Sequence, residues 1–224
     1  MSTLAQLTDR VEAALLDSTN THFSTATIEQ GLRQALKEYS VVRPQAGETV
    51  ITLPGAGREI ALDSITGLLE VTDAWWPYDS LASSEVWPPN RIRGWRVWWD
   101  DAQPVLFLTR FDGNQPQTDE EIRVWYTKQQ TIENLDSGSI TTLPVAHEEL
   151  LVNGAAGFAA MSNAVDMINT ASTDVFMVGL MGTWGKTKIL EFRKGLESMR
   201  TAGVRSGPAW TEGWVLDKWD SNRD

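Results

Sequence analysis

LPVAHEELLVNGAAGFAA, residues 143–160, is where a helical pattern returns after about ninety residues without one, and its reading decides the fold. Pro144 suits the first turn of a helix, where its missing N–H costs nothing. Glu148 and Glu149 follow near the positive end of the helix dipole. Leu150, Leu151, Phe158 and Met161 are interleaved with Gly154, Ala155, Gly157 and Ala159. Side chains this small let another helix come close, so this segment is expected to be the most buried helix of a bundle.

Its partners lie at both ends of the chain. From Thr3 to Asp17, apolar Leu4, Leu7, Val11, Ala14 and Leu15 recur at three- and four-residue spacing, which predicts an amphipathic helix capped by Ser2 or Thr3. Ile28, Leu32, Ala35, Leu36 and Tyr39 repeat that spacing up to Pro44, with Thr27 and Gln30 at capping-box distance. The short polar connection between them predicts an antiparallel pair packed face to face. A last helix is predicted from Thr183 to Arg200, with Ile189, Phe192, Leu196 and Met199 on one face and Gly203 as its stop.

Between these helices the period changes. Thr49–Leu53, Arg58–Leu62, Leu68–Trp76, Trp95–Trp99, Val105–Leu108 and Glu121–Lys128 are short runs of β-branched and aromatic residues bounded by Gly, Pro, Asn and Asp. The first two flank Pro54-Gly55-Ala56-Gly57 and read as a hairpin. Pro77 reads as the end of the third strand, Pro88-Pro89-Asn90 as a loop, and Asp100–Gln103 as the turn of a second hairpin. Six strands with no helix among them argue for an antiparallel sandwich or small barrel. The predicted class is α+β: a helical bundle from residues 1–46 and 143–203, an inserted β domain over 47–142, and a carboxy-terminal arm over 204–224.

Composition narrows the chemistry. Thirty acidic against 19 basic side chains give a net charge of −11, which repels a phosphate backbone and argues against nucleic-acid readout. With no cysteine, thiolate metal sites and thiol nucleophiles are excluded. The sequence shows no leader pattern and no long apolar run, so a soluble cytoplasmic product is expected. His22 and His147, the two histidines, have no second ligand at helical spacing. Gly182-Thr183-Trp184-Gly185-Lys186-Thr187 resembles the end of a phosphate-binding loop. That motif would place its first glycine at position 180, which is Leu180, and Gly179 stands one residue too far. These glycines read instead as a helix break or a tight crossing. Asp100-Asp101 and Asp119-Glu120-Glu121 fall where turns are expected and read as solvated loop charge, not as a glycosidase pair. No catalytic residue, cofactor or metal ligand is assigned.

Eleven tryptophans remain to be explained. Trp75, Trp76, Trp87, Trp95, Trp98 and Trp99 lie in the β region as core residues or as binding platforms, the latter as contacts for another subunit or partner. Adjacent strand tryptophans point to opposite faces, so one of each pair is free to be a platform. A carbohydrate-binding module of host-recognition type is the alternative function this suggests. In the arm, Pro208, Trp210, Trp214, Val215, Leu216 and Trp219 form a docking segment. Each buried indole, about 200 Å² at about 25 cal/mol per Å², contributes up to roughly 5 kcal/mol before ordering costs.

The whole arrangement resembles the head-to-tail adaptor, or connector, proteins of tailed bacteriophages. TLAQLTDRVEAALLDSTNTHFSTATIEQGLRQALKEYS, residues 3–40, is similar to the paired opening helices of that family, the second ending in an aromatic and a serine, here Tyr39-Ser40. LPVAHEELLVNGAAGFAA is similar to its Gly/Ala-rich central helix, and ILEFRKGLESMR, residues 189–200, to its last helix. The resemblance implies a non-enzymatic virion protein, made in the host cytoplasm and placed at the neck. There it would form a homo-oligomeric ring, commonly of twelve copies, between the portal protein and a tail or neck protein. DNA would pass through the lumen without sequence-specific binding, no membrane would be involved, and the arm would grip the portal. A nucleotide-binding assembly factor is a third and more distant reading.

Overall fold

The computed structural model describes residues 2–17, 19, 21–78, 92, 94–101, 103–110, 115–168 and 175–206. Trp87, the Pro88-Pro89-Asn90 loop and the docking arm from Gly207 to Asp224 lie outside the described residues. The elements run in the order α1 (Leu4–Leu15), α2 (Thr25–Val42), β1 (Gln45–Thr52), β2 (Glu59–Ala61), β3 (Leu68–Tyr78), β4 (Gly94–Asp100), β5 (Gln103–Arg110), β6 (Glu121–Lys128), α3 (Val145–Ile168) and α4 (Val175–Ser206). They form two compact units. One holds residues 4–35 and 144–224, the other residues 1–3 and 36–143, so a unit boundary falls within α2.

In the helical unit α3 is the core element, as its small residues predict. Every residue from Gly154 to Ala160 is buried. A Cβ placed on Gly154 would stand 2.7 Å from the Phe192 ring of α4, and one on Gly157 would stand 2.9 Å from the Gly185 carbonyl oxygen. Phe158 meets Phe192 edge to face at 6.3 Å, the orientation that sets a positive ring edge against a negative face. On another side of α3, a Cβ on Gly31 of α2 would lie 2.5 Å from the Ala155 carbonyl oxygen.

The expected face-to-face pair of α1 and α2 is not the principal packing. α1 lies along α3, and Arg10 fastens it by donating to Glu148 at 2.8 Å and to Glu149 at 2.9 Å. Glu148 is buried at 2% exposure, where an unpaired carboxylate would be costly. The turn after α1 is closed by buried Asp17, whose carboxylate accepts the backbone N–H groups of Thr21 at 3.0 Å and of His22 and Phe23 at 2.8 Å. The cap of α2 is Ser24, which accepts the Thr27 N–H at 3.1 Å; the Thr27/Gln30 spacing lies one turn too far inside. α4 is longer than its periodicity predicts. It begins at Val175 and continues through Gly203, so that glycine does not stop it.

The other unit is a sandwich of two three-stranded antiparallel sheets, ordered β1-β6-β3 and β2-β5-β4. Alternation aims Val71 and Ala74 of β3, Ile122 and Val124 of β6, Ile60 of β2, and Leu106 and Leu108 of β5 into one shared core. Asp100 pairs with Gln103 in the expected β4–β5 hairpin. The other expected hairpin is absent, because β1 pairs with β6 and β2 with β5. Pro54–Gly57 therefore carries the chain from one sheet to the other. Leu53 N–H still bonds the Glu120 carbonyl on the β6 side, while the Arg58 carbonyl already accepts Leu108 N–H of β5. β3 runs through Pro77 to Tyr78 because it is an edge strand, where a missing donor breaks no ladder on the open side. In this unit the end of α2 is tied to the segment after β6: Gln130 N–H donates to Ser40 Oγ at 3.0 Å, and Gln130 Nε2 to the Arg43 carbonyl at 2.8 Å.

Two stability predictions arise. Gly154→Leu forces a side chain into the Phe192 ring and is expected to cost about 1–3 kcal/mol, measurable as a lower denaturant midpoint. Burial by itself would raise the Asp17 pKa, but the three N–H donors outweigh it and hold the carboxyl below its ordinary value. Its stabilising effect is then complete above the unfolded carboxylate pKa and is lost as pH falls through the depressed folded value. Asp17→Ala should lower the melting temperature at neutral pH, and the gap from the parent chain should narrow on acidification.

Candidate functional site

The chemistry-bearing groups of the sandwich collect on the outer faces of its two sheets. On the β1-β6-β3 face, alternation along β6 turns Arg123 and Trp125 away from Ile122 and Val124. Trp75 of β3 meets Trp125 with ring centroids 4.3 Å apart. The Arg123 guanidinium lies 4.7 Å from the Trp125 centroid and 5.3 Å from that of Tyr78. Its Nη2 donates to both Glu48 oxygens at 2.7 Å, and its Nη1 to Tyr78 Oη at 3.2 Å. Trp75 Nε1 donates to Asp73 at 3.1 Å. The cation thus lies over two aromatic rings and is neutralised by a carboxylate whose two oxygens both accept from Nη2. The result is an aromatic plate on β3 and β6 that Arg123 ties to Glu48 of β1.

Of the two adjacent tryptophan pairs, Trp75–Trp76 divides as alternation requires, whereas Trp98 and Trp99 are both exposed and neither packs against the core, because they stand at the end of β4 next to its turn. Trp75 is on the outer plate, whereas Trp76 packs against the core and donates to Glu120 at 3.0 Å. In β4, Trp95 and Val97 pack against the core. Trp98 stacks on Phe107 of β5 at 5.0 Å and 20°. Trp98 is 41% exposed and Trp99 60%. Beside Phe107, an open hollow of about 430 Å³ is lined by Pro54, Gly55, Ala56, Gly57, Arg58 and Glu59. Trp125, Tyr78 and Arg123 are site residues that the sequence reading did not single out. The signal for them was the alternation of Glu121–Lys128 opposite the tryptophans of β3.

On the helical unit, the end of α3 and the first half of α4 expose apolar side chains. Val165, Ile168, Val175, Met177, Leu180 and Trp184 are all more than a third exposed. The loop-like motif at 182–187 lies inside α4, so its backbone N–H groups are engaged along the helix and cannot cradle a phosphate. Thr183 and Thr187 return their hydroxyls to the Gly179 and Thr183 carbonyls. Gly185 serves the tight crossing on Gly157, and the helix is unbroken there.

The two histidines stand apart, His22 before α2 and His147 in the first turn of α3. Among the described residues no group of three His, Cys, Asp or Glu could hold a metal ion, and no helix is long and apolar enough to cross a membrane. Asp100 and Asp101 occupy the exposed β4–β5 turn. Glu120 is held by the Trp76 indole and by Gln117 N–H at 2.8 Å. The acidic clusters thus act as turn and structural groups in this geometry.

No protein-family description matches the chain, and no curated protein does. Among solved structures, the chain is similar to a component of the virion of a native gene transfer agent particle, at 16% identity and a TM-score of 0.32, covering 81% of this chain and 87% of that one. It is also similar to a chain in the neck of the empty particle computed with C6 symmetry, at 17% identity and a TM-score of 0.32, covering 81% and 87%. A third is in the neck of the native particle computed with C12 symmetry, at 19% identity and a TM-score of 0.30, covering 81% and 86%.

Proposed function

We propose that this chain is a non-enzymatic structural protein of a tailed-phage-like virion neck, an adaptor that forms a ring between the portal and a tail or neck protein and lets DNA pass through its lumen. The observation that carries the reading is α3. The Gly/Ala-rich segment that resembles the adaptor family's central helix is the buried element on which α1, α2 and α4 all close. The exposed apolar side chains of α3 and α4 add surface that a single copy leaves in water, which is a mark of assembly. In this reading the arm residues Pro208, Trp210, Trp214, Val215, Leu216 and Trp219 grip the portal, and Trp98 and Trp99 serve contacts with neighbours or with the tail.

Electron microscopy of the full chain mixed with the portal assembly of the same genome tests this directly. A symmetric ring of added density is expected with the full chain. A truncation after Ser206, which keeps α4 whole, should fold normally and fail to attach. Full attachment by the truncated chain would remove the arm from the portal contact; absence of a ring with either would overturn the adaptor role.

The stacked Trp98–Phe107 pair beside an open polar-rimmed hollow favours one second reading, a carbohydrate platform. Under it, calorimetric titration with oligosaccharides gives saturable binding that Trp98→Ala abolishes. Under the adaptor reading no sugar binds, and Trp98→Ala costs the stack on Phe107, about 0.5–1.5 kcal/mol, while the chain stays folded.

A further inference from the structure

Charge is divided sharply within the helical unit. The described side chains of α4 are basic at Lys186, Lys188, Arg193, Lys194 and Arg200 and acidic only at Glu191 and Glu197. Lys188 pairs with Glu191 at 2.9 Å. Lys186, Lys194 and Arg200 are exposed and form no ion pair among the described residues. Leu180 and Leu190, 50% and 49% exposed, lie on the same outward side of the helix as Lys186 and Lys194. Exposed Glu197 falls on this side as well, so the face is basic by excess of Lys186 and Lys194 over one carboxylate, and with its apolar Leu180 and Leu190 it is what an acidic partner would cover.

The rest of that unit has the opposite sign. Among its described residues outside α4, Arg10 and Arg33 are the only lysine or arginine side chains. Both are consumed, Arg10 by Glu148 and Glu149 and Arg33 by Glu29 at 3.4 Å. Asp9 is exposed on α1, and Glu12 is half-buried one turn further on. Neither pairs with a cation among the described residues. α4 meets α3 at Gly154 and Gly157, whereas α2 meets it at Ala155 and Ala159 and α1 at Glu148. At about 100° per residue these positions lie on nearly opposite sides of α3. The bundle therefore carries a basic surface on one side and an acidic surface on the other.

We propose that the helical unit associates head to tail with further copies of the chain, the outward face of α4 seating on the acidic side of α1 of the next copy. A two-fold contact would set like charge against like, whereas a heterologous one joins opposite charges and can repeat from copy to copy. The inference stands on this charge division, and it rests on the adaptor reading only in giving the repeat a ring to close.

Analytical ultracentrifugation of the full chain at low and high ionic strength reads the contact. The parent chain should form species beyond dimers at low salt and dissociate as salt rises, because charges at a surface contact are screened beyond about 10 Å at 0.1 M. Two variants are made at exposed or half-exposed positions, Lys186→Glu/Lys194→Glu/Arg200→Glu and Asp9→Lys/Glu12→Lys. Each should keep the parent's circular dichroism and lose self-association by about tenfold or more. Mixed together, each variant offers the charge the other lacks, through the untouched pair of faces and through the doubly reversed pair, so association beyond the dimer should return in the mixture while neither variant alone self-associates.

A mixture that stays monomeric with both variants folded overturns the proposal, as does a variant that assembles like the parent or a parent that stops at a dimer. A parent that stays monomeric throughout overturns the self-contact alone, since ring formation on the portal is read separately by microscopy. Should a triple variant fail to fold, Lys186→Gln/Lys194→Gln replaces it with the same readout.

Discussion

The close approach of helix backbones across α3 is the constraint on which the helical unit depends. Gly154 and Gly157 bring α4 in until the Phe192 ring and the Gly185 carbonyl occupy the space a side chain would fill. From another side Gly31 brings α2 onto the Ala155 carbonyl. Helices at ordinary separation contact through long side chains that can exchange rotamers. Here much of the contact is backbone against backbone or ring, which tolerates few alternative registers. The ion pairs of Arg10 add a polar lock at the one charged residue buried in the first turn of α3. Because α3 is committed to the interior, α1 and α4 are left to supply the outward surfaces, and the division of charge between them follows.

The sandwich solves a different problem with a different material. Its core is built from aliphatic residues of ordinary size, while most of its described tryptophans are placed at the margin or outside. Arg123 shows how an outer face is kept rigid: one guanidinium satisfies a bidentate carboxylate, a tyrosine hydroxyl and two aromatic faces at once. Such an arrangement limits the conformational freedom of four large side chains before any partner arrives, and so lowers the ordering cost of a contact made there.

Helix periodicity made α1, α2 and α3 legible, and β-branched runs with turn residues made all six strands legible. What the sequence hid is mostly long-range. The turn chemistry of Pro54–Gly57 serves a hairpin or a crossing between sheets equally well, and only the pairing of β1 with β6 decides which. Pro77 looks like a terminator until β3 is known to be an edge. The start of α4 was obscured by Gly179, Gly182 and Gly185, whose poor intrinsic helix propensity is overridden by packing: Gly185 is there because Gly157 is opposite. Arg10 reads locally as a surface residue of an amphipathic helix, and its role appears only when Glu148 arrives from 138 positions away. The aromatic plate was half visible, since the tryptophans of β3 drew notice while Trp125 and Arg123 on the neighbouring strand did not.

The order of strands has a consequence for how the chain is made. β6, the last strand in sequence, is the middle strand of its sheet, flanked by β1 and β3. Until residue 128 has emerged, neither neighbour has the partner its hydrogen bonds require, and the inner faces of both sheets lack Ile122 and Val124. The helical unit waits longer still, since α1 and α2 close on a helix that starts at Val145. Neither unit can therefore be completed from the amino-terminal half of the chain. Non-local pairing of this kind slows folding and leaves strand edges open meanwhile. The sandwich can close once β6, which ends at Lys128, has emerged, and the helical unit only after α4, which ends at Ser206, so the two units close in succession and the sandwich comes first.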